Sequence, residues 1–494
     1  MARQAVIGID LGTTALKMGA FDARTGRVLG QSGRRLPVHV TAGGGREQSL
    51  RAIDRAINGA MAELRADLAE AWCAVTGVGV AAQGGSSILC ERLSGKARTP
   101  MFLWNDGRAY PWVQRIAERV PECFWRDFVL HDMPPTGLGR VQWLKETCPD
   151  LFREDFIHVG AGEHLFHRLT GVWRQDAGNA IQVGSYNATT RQLDPKAFDL
   201  IGVPVSFVAP LRKGHETAPL TASAARAWGL PSGVPVAGPY IDQEAGYMSA
   251  AGVSKRPLHC SLGTAWVGNF VLPDDTSGRS PSQMVIPSPV GEGRLVIQAL
   301  PTGNVTWDWA LETLYGRDHG EALRGAAREF ARRLLPPEGL IMLPWTTQAN
   351  PFSPQTPGGG AFLGISPSTT RADLIRAVAA GMTFELARVL QQVKDSGAVD
   401  RLVLGGGASK GVHFRKLTAA LFAPLPVLWQ TDQDLAAARG ALFALNPDAA
   451  RGNAKPVPPP SADETDAATR QFSHYVSVFD RTYGHEIIGK PFGF

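Results

Sequence analysis

The sequence has few cysteines, no long apolar run and little imbalance of charge. Its five cysteines are an odd number among 494 residues. They are scattered and form no C-x-x-C pair, so they predict reduced thiols rather than disulfides or zinc ligands. No stretch of about eighteen apolar residues predicts a membrane span, and the first residues show no charged-then-apolar signal. We therefore expect a cytoplasmic protein that does not bind membranes.

The composition favours a large folded enzyme. A hydrophobic content of 44% and 55 glycines are typical of a turn-rich α/β protein and argue against disorder. A chain of 494 residues is too long for one core, so we expect two domains. The net charge of +5 suits an anionic nucleotide. Without a basic block or basic residues alternating with aromatics, the sequence predicts no binding to nucleic acid.

The opening of the chain predicts a phosphate-binding hairpin. Val6–Ile9 and Ala15–Phe21 are typical of two buried strands, joined by a turn that contains Gly12–Thr14. A glycine lets successive N–H groups converge on an anion, and the two threonine hydroxyls add donors. Asp10 is placed to hold a hydrated cation beside that anion. The alternative is a structural hairpin with an accidental Asp and two surface threonines.

A second stretch repeats this pattern far along the chain. Leu258–Phe270 again predicts strand, turn and strand, and Leu262–Ala265 has the same Leu-Gly-Thr start as Leu11–Thr13. Two such hairpins on related lobes are similar to the arrangement of the actin-like ATPase superfamily. That resemblance implies that one hairpin from each lobe grips the phosphates of a single nucleotide in the cleft that separates the lobes.

Polar residues follow two further predicted strands. Val75–Ala82 runs into Gln83–Ser87, and Thr99–Leu103 runs into Asp106 and Arg108. Open α/β sheets bind ligands at the carboxyl ends of their strands. Opposite charges two residues apart could donate to and accept from neighbouring sugar hydroxyls. The alternative for these two side chains is a structural ion pair in a turn.

A carboxylate stands where another predicted strand meets a helix. Val234–Ala237 is followed by a Gly-Pro turn, and Asp242 begins a helix of small residues that runs from Gln243 to Ala251. The helix dipole and free N–H groups favour the ionised form there, which suits an acceptor for a hydroxyl proton. The alternative is a plain N-cap.

Two remaining features have weaker interpretations. Leu402–Lys410 predicts strand, triple glycine and helix, where a flat adenine could lie against the backbone. His164 and His167 are three apart on one helical face, which could suit a metal. Since no third ligand is visible nearby, we interpret them as ordinary helix residues.

These motifs together resemble the FGGY carbohydrate kinases, the family of xylulokinase, glycerol kinase and gluconokinase. The resemblance rests on Asp10–Thr14, Trp104–Arg108, Gly238–Gly246 and Gly360–Gly381, and it extends from Val6 to about Ala444. The last of these runs has Ala380 where the family's second signature has Glu. Trp-Asn-Asp-Gly-Arg is the form of the xylulokinase-like branch. The resemblance implies an α/β fold of two actin-like (ribonuclease H-like) ATPase lobes, and an enzyme that uses ATP and Mg²⁺ to phosphorylate a sugar.

The resemblance also implies roles for particular residues. Asp242 would be the catalytic base, and Asp10 would hold the metal. Substrate binding would fall to Gln83, Gly84, Asp106, Arg108, Asp242 and Gln243. ATP binding would fall to Gly12, Thr13, Thr14, Lys17, Gly263, Thr264, Gly406, Gly407 and Ala408.

One stretch departs from the pattern of that branch. Xylulokinases typically carry Gln-Met-His-Gly after the strand, whereas this chain has Gln83-Gly84-Gly85-Ser86. A glycine therefore replaces an imidazole that meets the substrate. We expect a roomier or wetter pocket, with Ser86, Ser87 or water supplying the lost hydrogen bond.

The expected organisation is an N-terminal lobe over residues 1–250, a C-terminal nucleotide-binding lobe over 251–448, and a Pro-rich linker with an exposed tail helix over 449–494. The expected acceptor is a five-carbon ketose such as D-xylulose. A polyol, gluconate or glycerol is the alternative within the family, and a chaperone-like or filament-forming ATPase or a sugar-sensing regulator is the alternative outside it. A homodimer remains one option, since the sequence specifies no oligomeric state.

Overall fold

The computed structural model describes residues 4–274, 283–300, 302–346 and 359–483, so the end of the predicted tail, 484–494, lies outside the described residues. The chain divides into two compact units, each made of three segments. The first unit contains Met1–Val253, Met284–Leu295 and Leu435–Gly452, and the second contains Ser254–Gln283, Val296–Asp434 and Asn453–Phe494.

Strands are found in both units. In chain order they are β1 (Ala5–Leu11), β2 (Ala15–Asp22), β3 (Val28–Arg35), β4 (His39–Thr41), β5 (Gly45–Gln48), β6 (Val75–Ala82), β7 (Ile88–Glu91), β8 (Met101–Phe102), β9 (Phe156–Val159), β10 (Tyr186–Asn187), β11 (Gln192–Leu193), β12 (Thr217–Pro219), β13 (Pro235–Ile241), β14 (Pro257–Leu262), β15 (Trp266–Leu272), β16 (Gln283–Pro287), β17 (Arg294–Ala299), β18 (Ile341–Leu343), β19 (Ala361–Leu363), β20 (Arg401–Gly405), β21 (Val427–Gln430) and β22 (Ala454–Pro456).

The α-helices are likewise found in both units. They are α1 (Leu50–Leu68), α2 (Tyr110–Ala117), α3 (Glu122–Val129), α4 (Thr136–Thr147), α5 (Ala161–Thr170), α6 (Ala177–Val183), α7 (Lys196–Asp199), α8 (Ala222–Trp228), α9 (Asp242–Ala251), α10 (Asn304–Tyr315), α11 (His319–Arg332), α12 (Arg371–Asp395), α13 (Val412–Phe422), α14 (Ala436–Gly440), α15 (Pro447–Ala450) and α16 (Ala462–Tyr483).

The first unit is organised around a six-stranded sheet in the order β12-β13-β6-β1-β2-β3. The hairpin β1–β2 is antiparallel, whereas β1, β6 and β13 run parallel. Leu11 pairs with Ala82, and Ala82 pairs with Ile241. Three neighbouring strands therefore end in register, and the residues that follow them meet at one edge of the sheet.

The two faces of this sheet are covered by different helices. Alternate side chains of a strand point to opposite faces, and on β1 Ile7 and Ile9 pack into one cluster with Ile53 and Ile57 of α1. The opposite face is covered by α9 and α14. There Gly8 lies so close to α14 that an added Cβ would stand 1.9 Å from the carbonyl oxygen of Ala438.

The second unit repeats the core of the first. Its hairpin β14–β15 is antiparallel, and β14 pairs in parallel with β20, which pairs in parallel with β21. The order β15-β14-β20-β21 therefore matches β2-β1-β6-β13 of the first unit. The predicted repetition of the hairpin is therefore found in the strand pairing of both units, and the predicted two-lobed α/β fold is confirmed.

The C-terminal segment differs from its prediction in two ways. Ala454–Pro456, expected within a linker, forms a strand that pairs with β21. The helix α16, expected to be exposed, buries Ala468, Tyr475 and Phe479. The Tyr475 hydroxyl donates to Glu385 of α12 at 2.9 Å. The prediction of an exposed tail helix is wrong, because the apolar positions of that helix form a stripe that needs a partner.

Candidate active site

The edge of the first sheet brings together three of the predicted site segments. Gly12 follows β1, Gln83 follows β6 and Asp242 follows β13, and these three strands end in register. The backbone N–H of Gln83 donates to the carbonyl oxygen of Leu11 at 2.9 Å, which joins two of the segments directly. Polar groups collect at this edge because the carboxyl ends of parallel strands leave a crevice there.

Asp10 lies next to the end of β1 with an unsatisfied carboxylate. Its side chain is almost buried, and its Oδ1 has no hydrogen-bond partner among the described residues. Burial raises the pKa of Asp10 to about 6, against the opposing charge of Lys17, which is its partner across the hairpin. A buried carboxylate oxygen without a donor fits a cation, and hard oxygen ligands are those that Mg²⁺ prefers.

Asp242 is the first residue of α9, and one oxygen of its carboxylate accepts a hydrogen bond from the backbone. The N-cap position is Ile241, so the alternative of a plain N-cap does not describe Asp242. Its Oδ1 accepts a hydrogen bond from the Gln243 N–H at 2.8 Å. Burial, and then the charge of Asp10, raise the pKa of Asp242 to about 7. A carboxyl group with a pKa near neutrality is suited to accept a proton at physiological pH.

The hydroxyl of Thr13 is already engaged inside the first unit. It donates to Oε1 of Gln83 at 2.9 Å and accepts from Nε1 of Trp104 at 3.1 Å. The Thr13 carbonyl oxygen accepts from Nε2 of Gln48 at 2.7 Å. Phosphate binding by this hydroxyl stays a prediction. The Thr13 hydroxyl has one proton, which it would have to donate to phosphate instead of to Gln83. Thr14, in contrast, is exposed.

The stretch Gln83–Ser87 is not the emptied pocket that the sequence predicts. An added Cβ at Gly85 would lie 2.5 Å from Oε1 of Gln182 on α6, so the amide of Gln182 occupies that space. Ser86 and Ser87 are fully buried. The Ser86 hydroxyl accepts from the Ala161 N–H at 2.9 Å. The expectation that Ser86 or Ser87 supplies a hydrogen bond to substrate is wrong, because neither side chain reaches the surface.

Asp106 and Arg108 form the ion pair that the sequence left as the alternative. The Arg108 guanidinium donates to both oxygens of Asp106, at 3.0 and 2.6 Å, and pairs with Glu47 at 2.8 Å. Although burial opposes ionisation, these bonds and the Arg46 N–H hold the pKa of Asp106 below its ordinary value. Asp106 is fully buried, whereas a fifth of the Arg108 side chain is exposed. Sugar binding by this pair stays a prediction, and a sugar would compete with the internal bonds.

In the second unit, the hairpin turn and the triple glycine meet. Gly406 has a φ of +79°, and an added Cβ there would lie 2.5 Å from the carbonyl carbon of Leu262. Only glycine tolerates both the left-handed torsion and this close approach. Thr264 is exposed on the adjoining turn. The predicted ATP residues Gly263, Thr264, Gly406, Gly407 and Ala408 therefore lie on two adjoining turns of one unit.

Gly303 and Asn304 belong to this second cluster, although the sequence gave no reason to select them. An added Cβ at Gly303 would lie 2.0 Å from the carbonyl oxygen of Thr264. The Asn304 N–H donates to the carbonyl oxygen of Gly263 at 3.0 Å, and Trp266 Nε1 donates to Asn304 Oδ1 at 3.0 Å. The start of α10 thereby fixes the second hairpin turn. The Gly-Asn pair before a helix is the sequence pattern that could have identified these two residues.

Arg140 is a second residue that the sequence did not reveal. Its fully buried guanidinium donates to the carbonyl oxygens of Gly85 at 2.6 Å and Trp104 at 3.0 Å. Burial lowers the pKa of Arg140 to about 10. The side chain ties the loop after β6 to the loop that carries Asp106. Nothing in the sequence distinguishes this arginine from one on the surface of α4.

The two histidines of α5 do not form a metal site. His167 stacks on Trp173 with ring centroids 3.7 Å apart, and burial lowers the pKa of His164 to about 4. The described residues contain no group of three or more His, Cys, Asp or Glu side chains arranged to hold a metal ion. The interpretation of both histidines as ordinary helix residues agrees with these contacts. Among all the residues that the structure describes, no helix is long and apolar enough to span a membrane.

Comparison with known proteins identifies the family. The model of the FGGY family of carbohydrate kinases, N-terminal domain, matches residues 5–249, and that of the C-terminal domain matches 258–446. The chain is similar to a xylulose kinase of Staphylococcus epidermidis, with 22% identity over 429 residues that cover 85% of this chain and 84% of the relative. It is also similar to a glycerol kinase of Alkalilimnicola ehrlichii, with 24% identity over 476 residues that cover 89% and 90%.

Solved structures agree on the fold. The crystal structure of xylulose kinase from Rhodospirillum rubrum has a TM-score of 0.81 and 19% identity, with 98% of this chain and 100% of that chain covered. Two domain models in the expected order account for most of the chain, and the duplicated hairpins lie one in each unit. The chain belongs to the FGGY family of carbohydrate kinases.

Proposed function

We propose that this kinase transfers the γ-phosphate of ATP to a hydroxyl of a five-carbon ketose such as D-xylulose. Membership of the family gives a phosphotransferase that uses ATP and an alcohol acceptor. The Trp104–Arg108 motif and the relatives named xylulose kinase support the ketose. A polyol, gluconate or glycerol is the alternative acceptor, supported by the relative named glycerol kinase.

The observation that carries the proposal is the state of Asp242. Its carboxylate lies at the end of three strands in register, with a pKa raised to about 7 by burial and by Asp10. Asp242 would accept the proton of the acceptor hydroxyl as its oxygen forms a bond to the γ-phosphorus. The bond from that phosphorus to the ADP oxygen breaks in the same transfer. Such reactions depend mainly on positioning and charge stabilisation.

Each unit would contribute separate groups to the phosphates of ATP. In the first unit these are the N–H groups of the turn that follows Gly12, the exposed Thr14 and the ammonium of Lys17, while the Gly12 N–H donates to the carbonyl oxygen of Ala15 at 3.1 Å. In the second unit these are Gly263 and Thr264, while Gly406–Ala408 would carry the adenosine. Backbone N–H groups at such turns bind anions without any change in protonation.

Asp10 is the residue that we assign to Mg²⁺. Its buried and unpartnered Oδ1 fits a cation, and its position beside the phosphate turn would place that charge near the anion. When bound, the metal supplies positive charge that neutralises the phosphates during transfer. Asp10 itself would orient the hydrated ion, either directly or through water.

A screen of acceptors tests this function. The purified protein with ATP and Mg²⁺ would be assayed for ADP release with D-xylulose, other pentuloses, xylitol, glycerol and gluconate. We expect the highest kcat/KM with a five-carbon ketose. Comparable turnover with glycerol or gluconate would favour the alternative acceptors, and ADP release that no acceptor increases would contradict the proposed phosphotransfer.

A further inference from the structure

The side chain of Gln182 lies directly over the two glycines that follow Gln83. An added Cβ at Gly84 would stand 2.2 Å from Nε2 of Gln182, and one at Gly85 would stand 2.5 Å from its Oε1. The carboxamide therefore fills the space that a side chain at either position would need. Gly85 also has a φ of +70°. The two glycines and Gln182 form one local arrangement in which neither glycine can gain a side chain without displacing the amide.

Much of the hydrogen-bonding capacity of this amide is unused. Nε2 donates to the carbonyl oxygen of Gly178, one turn earlier in α6, at 3.1 Å. An amide has two N–H donors and an acceptor oxygen, and no further partner for Gln182 is found among the described residues. The side chain is half-buried, so its unused donor and acceptor can reach a ligand.

The position of the amide relates it to the base. An added Cβ at Gly84 would also lie 2.9 Å from Cγ2 of Ile241, the residue immediately before Asp242. Gly84 therefore lies against both Gln182 and Ile241. An acceptor whose hydroxyl is presented to Asp242 would have its neighbouring oxygens close to this amide.

Two guanidinium groups of the neighbouring loops are already engaged inside the first unit. Arg108 is paired with Asp106 and Glu47. Arg140 is fully buried and donates to two backbone carbonyl oxygens. Recognition by an amide, while Arg108 and Arg140 are engaged in internal bonds, suits neutral hydroxyl or carbonyl oxygens better than a carboxylate, which calls for a charged donor.

We propose that Gln182 is a specificity-determining residue, which hydrogen-bonds a hydroxyl or carbonyl oxygen of a neutral acceptor and disfavours aldonates such as gluconate. The inference rests on the proposed function and refines its acceptor class. Gln182 takes the place that the absent imidazole leaves, from a different element of the chain. The site is therefore filled rather than emptied at Gly85.

Steady-state kinetics of Gln182→Ala, Gln182→Glu and the control Gln192→Ala test this role. Gln192 is an exposed glutamine of β11 in the same unit. We expect Gln182→Ala to raise the KM for the ketose about five- to tenfold, the effect of one hydrogen bond, while the KM for ATP and the melting temperature stay unchanged. Gln182→Glu should lower activity with gluconate most, because it adds a like charge. The control should match the wild type.

Two results would overturn the proposal. One is an unaltered KM for every neutral acceptor in Gln182→Ala, and the other is a wild type that prefers gluconate over neutral acceptors. A uniform loss of kcat with a lowered melting temperature, unrestored in Gln182→Glu, would also count against recognition and indicate packing alone.

Calorimetry separates this proposal from the proposed function. Should the wild type phosphorylate none of the acceptors, titration of D-xylulose and xylitol into wild type and Gln182→Ala would still report recognition. Binding that weakens in the variant supports Gln182 even though the phosphotransfer proposal has failed. Absence of binding to the wild type would overturn both.

Discussion

At the scale of single residues, the chemistry depends on a carboxyl group that burial keeps near neutrality. Asp242 has a pKa of about 7 and Asp10 a pKa of about 6, and in both cases burial is the largest cause. An exposed aspartate would be a weaker base, because its pKa near 4 lies far below the working pH. The carboxylates of Asp10 and Asp242 repel each other when both are ionised, and the packing of β1 and α9 keeps them in place.

Replacing Asp242 by Asn tests its role as base. The variant keeps the shape and hydrogen bonding of the side chain but cannot accept a proton. We expect acceptor and ATP binding to persist while kcat falls by about 10²–10⁴-fold, the usual scale of general-base loss. Single-turnover and steady-state assays would measure this, with the exposed Asp150→Asn as a matched control. Turnover within a factor of two of wild type would refute the assignment.

The pH profile of kcat follows from the same group. Asp242 must be ionised to accept a proton, so activity should fall as the pH drops through about 7. The charge of Asp10 contributes to the raised pKa, and Asp10→Asn should therefore lower the pKa of Asp242 measured in the metal-free protein. A pKa of Asp242 that is the same in this variant and in the metal-free wild type would show that Asp10 does not act on Asp242.

The same shifts predict how stability changes with pH. Both carboxyl groups have folded-state pKa values above the ordinary 3.8, so the protonated form is favoured by folding. Their contribution to stability is complete below about pH 4 and is lost as the pH rises through 6 to 7.

At the scale of elements, the threonine that follows Leu-Gly is freer to donate to phosphate in the second hairpin than in the first. Thr13 is held by Gln83 and Trp104, whereas Thr264 is exposed on its turn. The duplication therefore does not give equal roles to equivalent hydroxyls.

Thr264→Val should weaken nucleotide binding by about 1–3 kcal/mol, as expected when a charged oxygen loses a donor. Acceptor affinity without nucleotide should hardly change, because no acceptor residue of the first unit is altered. Calorimetric titrations with ADP and with the acceptor would measure both. Loss of acceptor binding with intact ADP binding would contradict a phosphate role for this hairpin.

The contact of α14 with α9 is the second element-scale feature with a direct test. An added Cβ at Gly440 would lie 1.7 Å from the carbonyl oxygen of Ala245, three residues after Asp242. Gly440→Ala should lower the melting temperature and displace α9, so kcat should fall as well. Gly33→Ala is the control, since its nearest neighbour would lie at an ordinary 3.5 Å. An unchanged melting temperature would show that α14 can shift away from α9 without loss of stability.

Local patterns predicted the elements well, and distant contacts explain where prediction failed. The strand β6 has the predicted bounds, and β2 and α9 each differ from theirs by one residue, because apolar spacing and turn residues lie within each segment. The pairing of Arg108 with Glu47 and the position of Gln182 over Gly85 could not be predicted. These contacts join segments far apart in sequence, and no local pattern records which of them meet.

At the scale of the whole molecule, the chain enters the first unit three times. The last segment, Leu435–Gly452, brings α14 against Gly8 of β1, Gly79 of β6 and Ala245 of α9. It also supplies Leu442, Ala449 and Ala450 to a buried cluster with Val6 and Phe21. Residues 1–253 alone therefore cannot complete the core of the first unit.

This arrangement sets an order for folding during synthesis. A ribosome that has made residues 1–434 has released most of the first sheet, but one face of β1 still lacks α14. We expect a chain truncated after Asp434 to be cut by protease within residues 4–253 much faster than the full chain. A synthetic peptide of residues 435–452 should slow that cleavage, and a scrambled peptide should not. Equal resistance of both chains would show that the face is stable when uncovered. If the expectation holds, the sheet face around β1 stays uncovered during synthesis until residues 435–452 have emerged.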